Sequence, residues 1–125
     1  MIVQIIGLPG VGKTTTIQQY LQTNSDIKYL DIRNFKTQAA LYRAANKYKT
    51  NLIVESCCGM VHLPSKIIKL KTDINTILRR LESRPETYNR NYLSLLDSAM
   101  CNPDYTIQEA DKLHLLIDNI FEIER

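Results

Sequence analysis

Residues 7 to 14 read GLPGVGKT and follow directly on the apolar run IVQII, Ile2 to Ile6. No other stretch constrains the fold of this chain so tightly. It matches G-x-x-x-x-G-K-[ST] in full, and each fixed position has a physical task. Gly7 and Gly12 let the backbone curl so that several N–H groups converge on phosphate oxygens, an approach that a side chain would block. Leu8, Pro9, Gly10 and Val11 span the curl. Lys13 supplies a point charge to the β- and γ-phosphates, and the Thr14 hydroxyl is a ligand for Mg²⁺. Thr15 adds a second hydroxyl in the first turn of the helix that should follow, whose N-terminus aims partial positive charge at the same phosphates. Of the four glycines in the chain, three (Gly7, Gly10 and Gly12) fall within six residues. At a usual glycine frequency of about 7%, the whole pattern arises by chance in a chain this long less than about once in a hundred. Residues Gly7 to Thr15 are therefore expected to bind a nucleoside triphosphate, ATP with Mg²⁺.

The motif requires a strand before it and a helix after it, and the rest of the chain keeps that alternation. Ile2 to Ile6 is a continuous apolar run, the pattern of a buried strand. Thr14 to Leu21 places Ile17, Tyr20 and Leu21 on one helical face. IKYLDI (Ile27 to Ile32) reads as a second strand, and Thr37 to Tyr48 as a helix with Ala40, Leu41, Ala44, Ala45 and Tyr48 at helical spacing. NLIVES (Asn51 to Ser56) and KIIKLK (Lys66 to Lys71) read as third and fourth strands. Ile74, Ile77, Leu78 and Leu81 mark an amphipathic helix over Asp73 to Arg84, capped by Thr72 or Asp73 and stopped by Pro85. A short helix over Tyr92 to Met100, a short strand over Asp104 to Ile107 and a last helix carrying Leu113, Leu116, Ile117 and Ile120 complete the chain. Strands alternating with helices predict an α/β fold, a parallel sheet with helices on both faces, in one domain spanning residues 1 to 125.

Open sheets of this kind bind ligands beyond the carboxyl ends of their strands. Glu55 ends the third strand, where an acid beside the phosphate loop holds Mg²⁺ through water or orients a nucleophile. Asp31 and Arg33 follow the second strand. The carboxylate can accept a proton from an attacking hydroxyl, and the arginine can clamp an anionic acceptor. On the helix after the fourth strand, Arg80 and Arg84 flank the Ile77/Leu81 stripe, while Arg79 points further out. Arg80 and Arg84 are thus edge residues able to lean over the cleft, and Arg90 follows after Pro85. An arginine over a transferring phosphoryl group is worth about 10³ to 10⁵ in rate. His62 and His114 are isolated, and His114 reads as structural.

Composition mainly excludes. A net charge of +3 suits an anionic ligand but is too small to argue for a nucleic-acid or membrane surface, so nucleic acid enters only as an acceptor end. The apolar start stops at Gly7, too short for a spanning or leader helix. Three cysteines, Cys57, Cys58 and Cys101, form neither a disulfide framework nor a zinc spacing, and reduced thiols favour the cytoplasm.

GLPGVGKTTT, LIVES at the third strand, ILRRLESRP followed by Arg90, and the closing DYTIQEADKLHLLIDNIFEI together resemble the P-loop kinases of nucleosides, nucleotides and other small molecules. The resemblance spans nearly the whole chain. It implies a three-layer α/β/α fold with a mostly parallel five-stranded sheet in the order 2-3-1-4-5. It also implies Lys13 and Thr14 on ATP and Mg²⁺, Glu55 near the metal, and a short lid around residues 79 to 103 with Arg80, Arg84 and Arg90. Catalytic roles then fall to Lys13, Asp31, Glu55, Arg80 and Arg84. The reading expected is transfer of the γ-phosphate to a small acceptor contacted by Arg33. The alternatives are a nucleotide hydrolase, a nucleotide-gated binding module, or a non-catalytic protein that retains the loop.

Overall fold

A computed structural model describes residues 1–84 and 88–123. Strand β1 (Ile2–Ile6) runs into the glycine loop, and α1 (Lys13–Gln22) leaves it. Then follow β2 (Lys28–Asp31), a 3₁₀ turn (Ile32–Asn34), α2 (Gln38–Ala45), β3 (Leu52–Glu55) and β4 (Lys66–Leu70). Helices α3 (Ile74–Leu81) and α4 (Arg90–Ser98), strand β5 (Tyr105–Ile107) and helix α5 (Ala110–Ile123) complete the described chain. The strands form one sheet in the order β2-β3-β1-β4-β5, and all four pairings are parallel. This is the expected three-layer fold.

The period of two along each strand sorts the core into the two outer layers. Val3, Ile5, Ile53 and Ile68 face Ile17 and Tyr20 of α1 and Leu113, Ile117 and Phe121 of α5. Leu52 and Val54 face the other way, onto Leu41 and Ala45 of α2 and onto Met60 and Leu63. A third cluster, Ile77, Leu81 and Leu93, ties α3 to α4 and includes Leu8 at its margin. His114 accepts its structural reading: its ring packs 5.5 Å from Tyr20 and meets the Thr16 carbonyl at 3.0 Å, joining α5 to α1.

Element ends differ from the sequence reading for local reasons. β2 stops at Asp31 because its carboxylate accepts the Arg33 amide at 3.0 Å and bends the chain into the 3₁₀ turn. Thr37 is the cap of α2, accepting from the Ala40 amide at 3.1 Å, and lies outside it. The far end tightens at Lys47 and Tyr48, whose amides reach back only three residues, so Tyr48 lies beyond the helix. α3 ends at Leu81, which leaves Arg84 in the following turn; the expected stop at Pro85 lies outside the described residues. α4 starts earlier than expected because Asn89 caps it, accepting from the Tyr92 amide at 2.9 Å. Among the described residues no helix is long and apolar enough to cross a membrane.

A polar side chain, Gln4, lies inside this core. Gln4 is fully buried; its amide donates to the Met60 carbonyl at 2.9 Å and to Ser65 at 2.8 Å, and it accepts the Met60 amide at 2.9 Å. It pins the loop that leaves β3 just after Glu55. Gln4→Leu would strand both backbone groups of Met60, each costing about 1 to 3 kcal/mol when left unpaired in the interior. The expected outcome is a loss of about 2 to 4 kcal/mol, measured by urea unfolding.

Candidate active site

The loop from Gly7 to Thr14 is built by close approach. The Gly7 amide donates to the Cys57 carbonyl at 3.1 Å. A Cβ at Gly7 would sit 2.6 Å from the Leu70 carbonyl oxygen, so only glycine fits between β1 and β4 there. Gly12 takes φ +101° and caps α1 with no side chain over the helix end. The first amides of α1, which have no intrahelical partners, therefore stay open to a ligand. On the outer side Arg80 donates to the Gly10 and Val11 carbonyls at 3.1 and 3.3 Å. The N–H of a trans peptide points opposite its C=O, so this grip turns the Gly12 amide away from Arg80.

Lys13 folds back over the loop, donating to the carbonyls of Gly7 at 2.6 Å and Leu8 at 3.1 Å. Burial strips water from its ammonium and lowers its pKa, against the opposing pull of Cys57 and Glu55. A phosphate anion would supply the counter-charge that this buried cation lacks.

Beside the loop, pairing of β2 with β3 sets Asp31 directly against Glu55. Both are buried. The Thr14 hydroxyl donates to Glu55 at 2.8 Å, and the Tyr29 hydroxyl reaches Glu55 at 2.9 Å and Asp31 at 3.3 Å. Arg33 closes the cluster. Its Nη2 lies 2.5 Å from Asp31, 3.1 Å from Thr14 and 3.3 Å from Glu55, and its Nε adds a 2.9 Å bond to Asp31. Burial by itself would raise the Asp31 pKa, but the side-chain and backbone hydrogen bonds of Arg33 outweigh it and hold the carboxyl below its ordinary range. The Tyr29 phenol is pushed far up by burial and by both carboxylates, so it remains a donor.

Thr14 and Glu55 thus bring hard oxygen donors to one point, with the Asp31 carboxylate beside them. Mg²⁺ takes one or two carboxylates and completes its shell with water and substrate phosphates. The donor set fits that ion. Among the described residues no group of three or more His, Cys, Asp or Glu is placed to hold a metal ion.

A cleft of about 260 Å³ opens over this cluster, lined by residues of the loop together with Asp31, Arg33, Glu55, Arg84 and Tyr88. The expected residues divide around it. Pro9, Gly10, Gly12, Lys13, Thr14, Thr15 and Arg84 line it. Arg80 instead braces the loop from behind. Arg90 does not line the cleft: its guanidinium bonds Asn75 in α3, because the early start of α4 turns it that way. Leu8 and Val11 line a second cavity of about 520 Å³ behind the loop, between the end of β4, α3 and α4. That cavity is the larger, but neither acid touches it. Tyr29 at the acid cluster, and Tyr88 and Cys57 on the cleft lining, carried no site role in the sequence reading. Tyr29 lies two positions before Asp31 and so shares its strand face, a signal readable from period two. Tyr88 carried no signal. Cys57 lines the cleft with its thiol pushed up to about 11, chiefly by burial and then by Cys58, against the pull of Lys13.

No family model matches the sequence, and no curated protein matches it. Solved structures do. Shikimate kinase from Acinetobacter baumannii, in complex with shikimate, superposes with a TM-score of 0.63 at 14% identity, covering 99% of this chain and 94% of that one. Kti12 from Chaetomium thermophilum, in complex with ADP-AlF3, gives 0.64 at 15% identity, covering 97% and 99%. A gluconokinase from Sinorhizobium meliloti gives 0.62 at 9% identity, covering 98% and 97%. The fold is that of the small P-loop kinases.

The Asp31 shift has a consequence for stability. Its folded pKa lies below the unfolded value of 3.8, so the stabilisation is complete above that value and is lost as pH falls through the folded pKa. The stability gap between the wild type and Asp31→Asn is expected to be widest near neutrality and to narrow below about pH 4, read from urea midpoints across pH 3 to 7.

Proposed function

We propose that this chain is an ATP-dependent phosphotransferase that moves the γ-phosphate to a hydroxyl of a small acceptor, with Mg²⁺ as its metal. The observation that carries the reading is the juxtaposition of Asp31 and Glu55 beside Thr14 in a cleft that Arg84 also lines. A pure binding loop has no need of two buried acids and an arginine lining the same cleft.

The residues divide the work as follows. The loop amides, Lys13 and the start of α1 hold the β- and γ-phosphates. Thr14 and Glu55 would hold Mg²⁺, which when bound neutralises charge between the phosphates. Asp31, kept ionised by its low pKa, takes the proton of the acceptor hydroxyl. The acceptor oxygen forms a bond to the γ-phosphorus as the bond from that phosphorus to the bridging oxygen of ADP breaks. Arg84, on the turn past α3, offers its guanidinium to the equatorial oxygens that gain charge. Arg33 is the natural contact for an anionic group on the acceptor. The tertiary layout supports one kinase-like domain over residues 1–125 with a short lid around 79 to 103. The three free cysteines fit a cytoplasmic protein. A hydrolase is the second reading, favoured by the small size of the cleft, about 260 Å³.

The test is ATP consumption across a panel of hydroxy acids, sugar acids, nucleosides, nucleotides and nucleic-acid 5′ ends. Turnover is expected only with an acceptor. Acceptor-independent hydrolysis would establish the second reading, and nucleotide binding without turnover would overturn both. Asp31→Asn should lower transfer by about 10² to 10⁴ while leaving any slow hydrolysis in place. Lys13→Ala should lower kcat/KM by at least about a hundredfold. Since burial of the Lys13 charge is unfavourable in the free protein, Lys13→Met should raise the melting temperature of that protein even as it removes nucleotide binding.

A further inference from the structure

The point where Thr14, Glu55 and Asp31 converge is met by a cation of the chain itself, the guanidinium of Arg33. A single atom, Nη2, touches all three residues, at 3.1, 3.3 and 2.5 Å. The Thr14 hydroxyl donates to Glu55 and accepts from Arg33 at once. A divalent ion drawn to the same carboxylates would meet like-charge repulsion from a guanidinium held beside it.

We infer that Arg33 is a stand-in for the metal: it keeps the metal seat occupied and intact in the free protein, and must leave before the metal–nucleotide complex can settle. The inference rests on the phosphotransferase reading only through the metal seat. Its physical basis is a contrast within one residue. The Arg33 backbone is fixed by its amide bond to Asp31, yet its side chain is 64% exposed, unlike the acids it bonds, which are 8% and 5% exposed. The guanidinium can therefore swing out without opening the core. The acids cannot follow, since β2–β3 pairing and Tyr29 hold them.

Two consequences follow. Without any cation, two buried neighbouring carboxylates would repel each other, so Arg33 stabilises the empty site. When the metal arrives, apparent affinity is reduced by the fraction of molecules in which Arg33 is seated. The displaced guanidinium is then free at the cleft wall to meet an anionic group, which couples metal binding to acceptor capture.

The experiment compares wild type, Arg33→Gln and Arg33→Lys. Mn²⁺ serves as a paramagnetic probe of the seat by water-proton relaxation, with ADP present, and calorimetry measures ADP affinity with and without Mg²⁺. If Arg33 is seated about nine-tenths of the time, Arg33→Gln should bind Mn²⁺ about tenfold more tightly, with Arg33→Lys between the two. Arg33→Gln should also melt lower than wild type without metal and gain more on adding Mg²⁺. Equal or weaker Mn²⁺ binding by Arg33→Gln, in a variant that still binds metal-free ADP like wild type, would overturn the inference and leave the phosphotransferase reading standing. Failure of the wild type to bind ADP at all would overturn both.

Discussion

Two carboxylates meet at the carboxyl ends of β2 and β3, and most of the site is arranged around what that meeting requires. Neighbouring parallel strands lie about 4.8 Å apart, so the register of Asp31 against Glu55 leaves the two acids no freedom to separate. Two unit charges 4 Å apart interact by about 4 kcal/mol at the effective dielectric of a protein surface. A positive partner is thus a condition of the fold as well as of the chemistry. Arg33 meets it from the sheet edge; the neutral Tyr29 hydroxyl adds a hydrogen bond from the strand itself, and Thr14 links the pair to the loop. The loop, the sheet and the helix start are consequently one hydrogen-bonded unit.

The architecture was legible because its signals are local. β1 and β3 are apolar runs with no polar face, and such runs bury on both sides only in the middle of a parallel sheet. GLPGVGKT fixes what joins β1 to α1. The position of Glu55 at the end of β3 follows from the same run. Tyr29 was equally available, being on the face of Asp31, but its meaning depends on which strand lies next to β2. That is a matter of topology. Arg90 went astray for a different reason. An α4 beginning at Tyr92 would leave Arg90 in a loop near the nucleotide, whereas Asn89 as cap winds Arg90 into the first turn and hands it to Asn75. One cap residue decides which way a long side chain points.

Arg80 and Arg84 were read as equivalent edge residues and are not. α3 packs directly on the glycine loop: a Cβ at Gly10 would meet Leu81 at 3.1 Å and the Ile77 carbonyl at 3.4 Å. An arginine on that last helical turn can only reach the outer carbonyls of the loop, and Arg80 does so. Arg84 lies three residues past the helix end, where its backbone amide closes a turn onto Leu81 at 3.0 Å and its side chain faces the cleft. The division has a physical sense for phosphoryl transfer. Donors to charge that is already present, such as the loop amides, work best when held rigid, because they then need no reorganisation. A donor to charge that develops only during the reaction contributes most if it is not spent on the ground state. The braced loop under Arg80 meets the first requirement. In the proposed transfer Arg84, held at the cleft wall by a single turn, would meet the second.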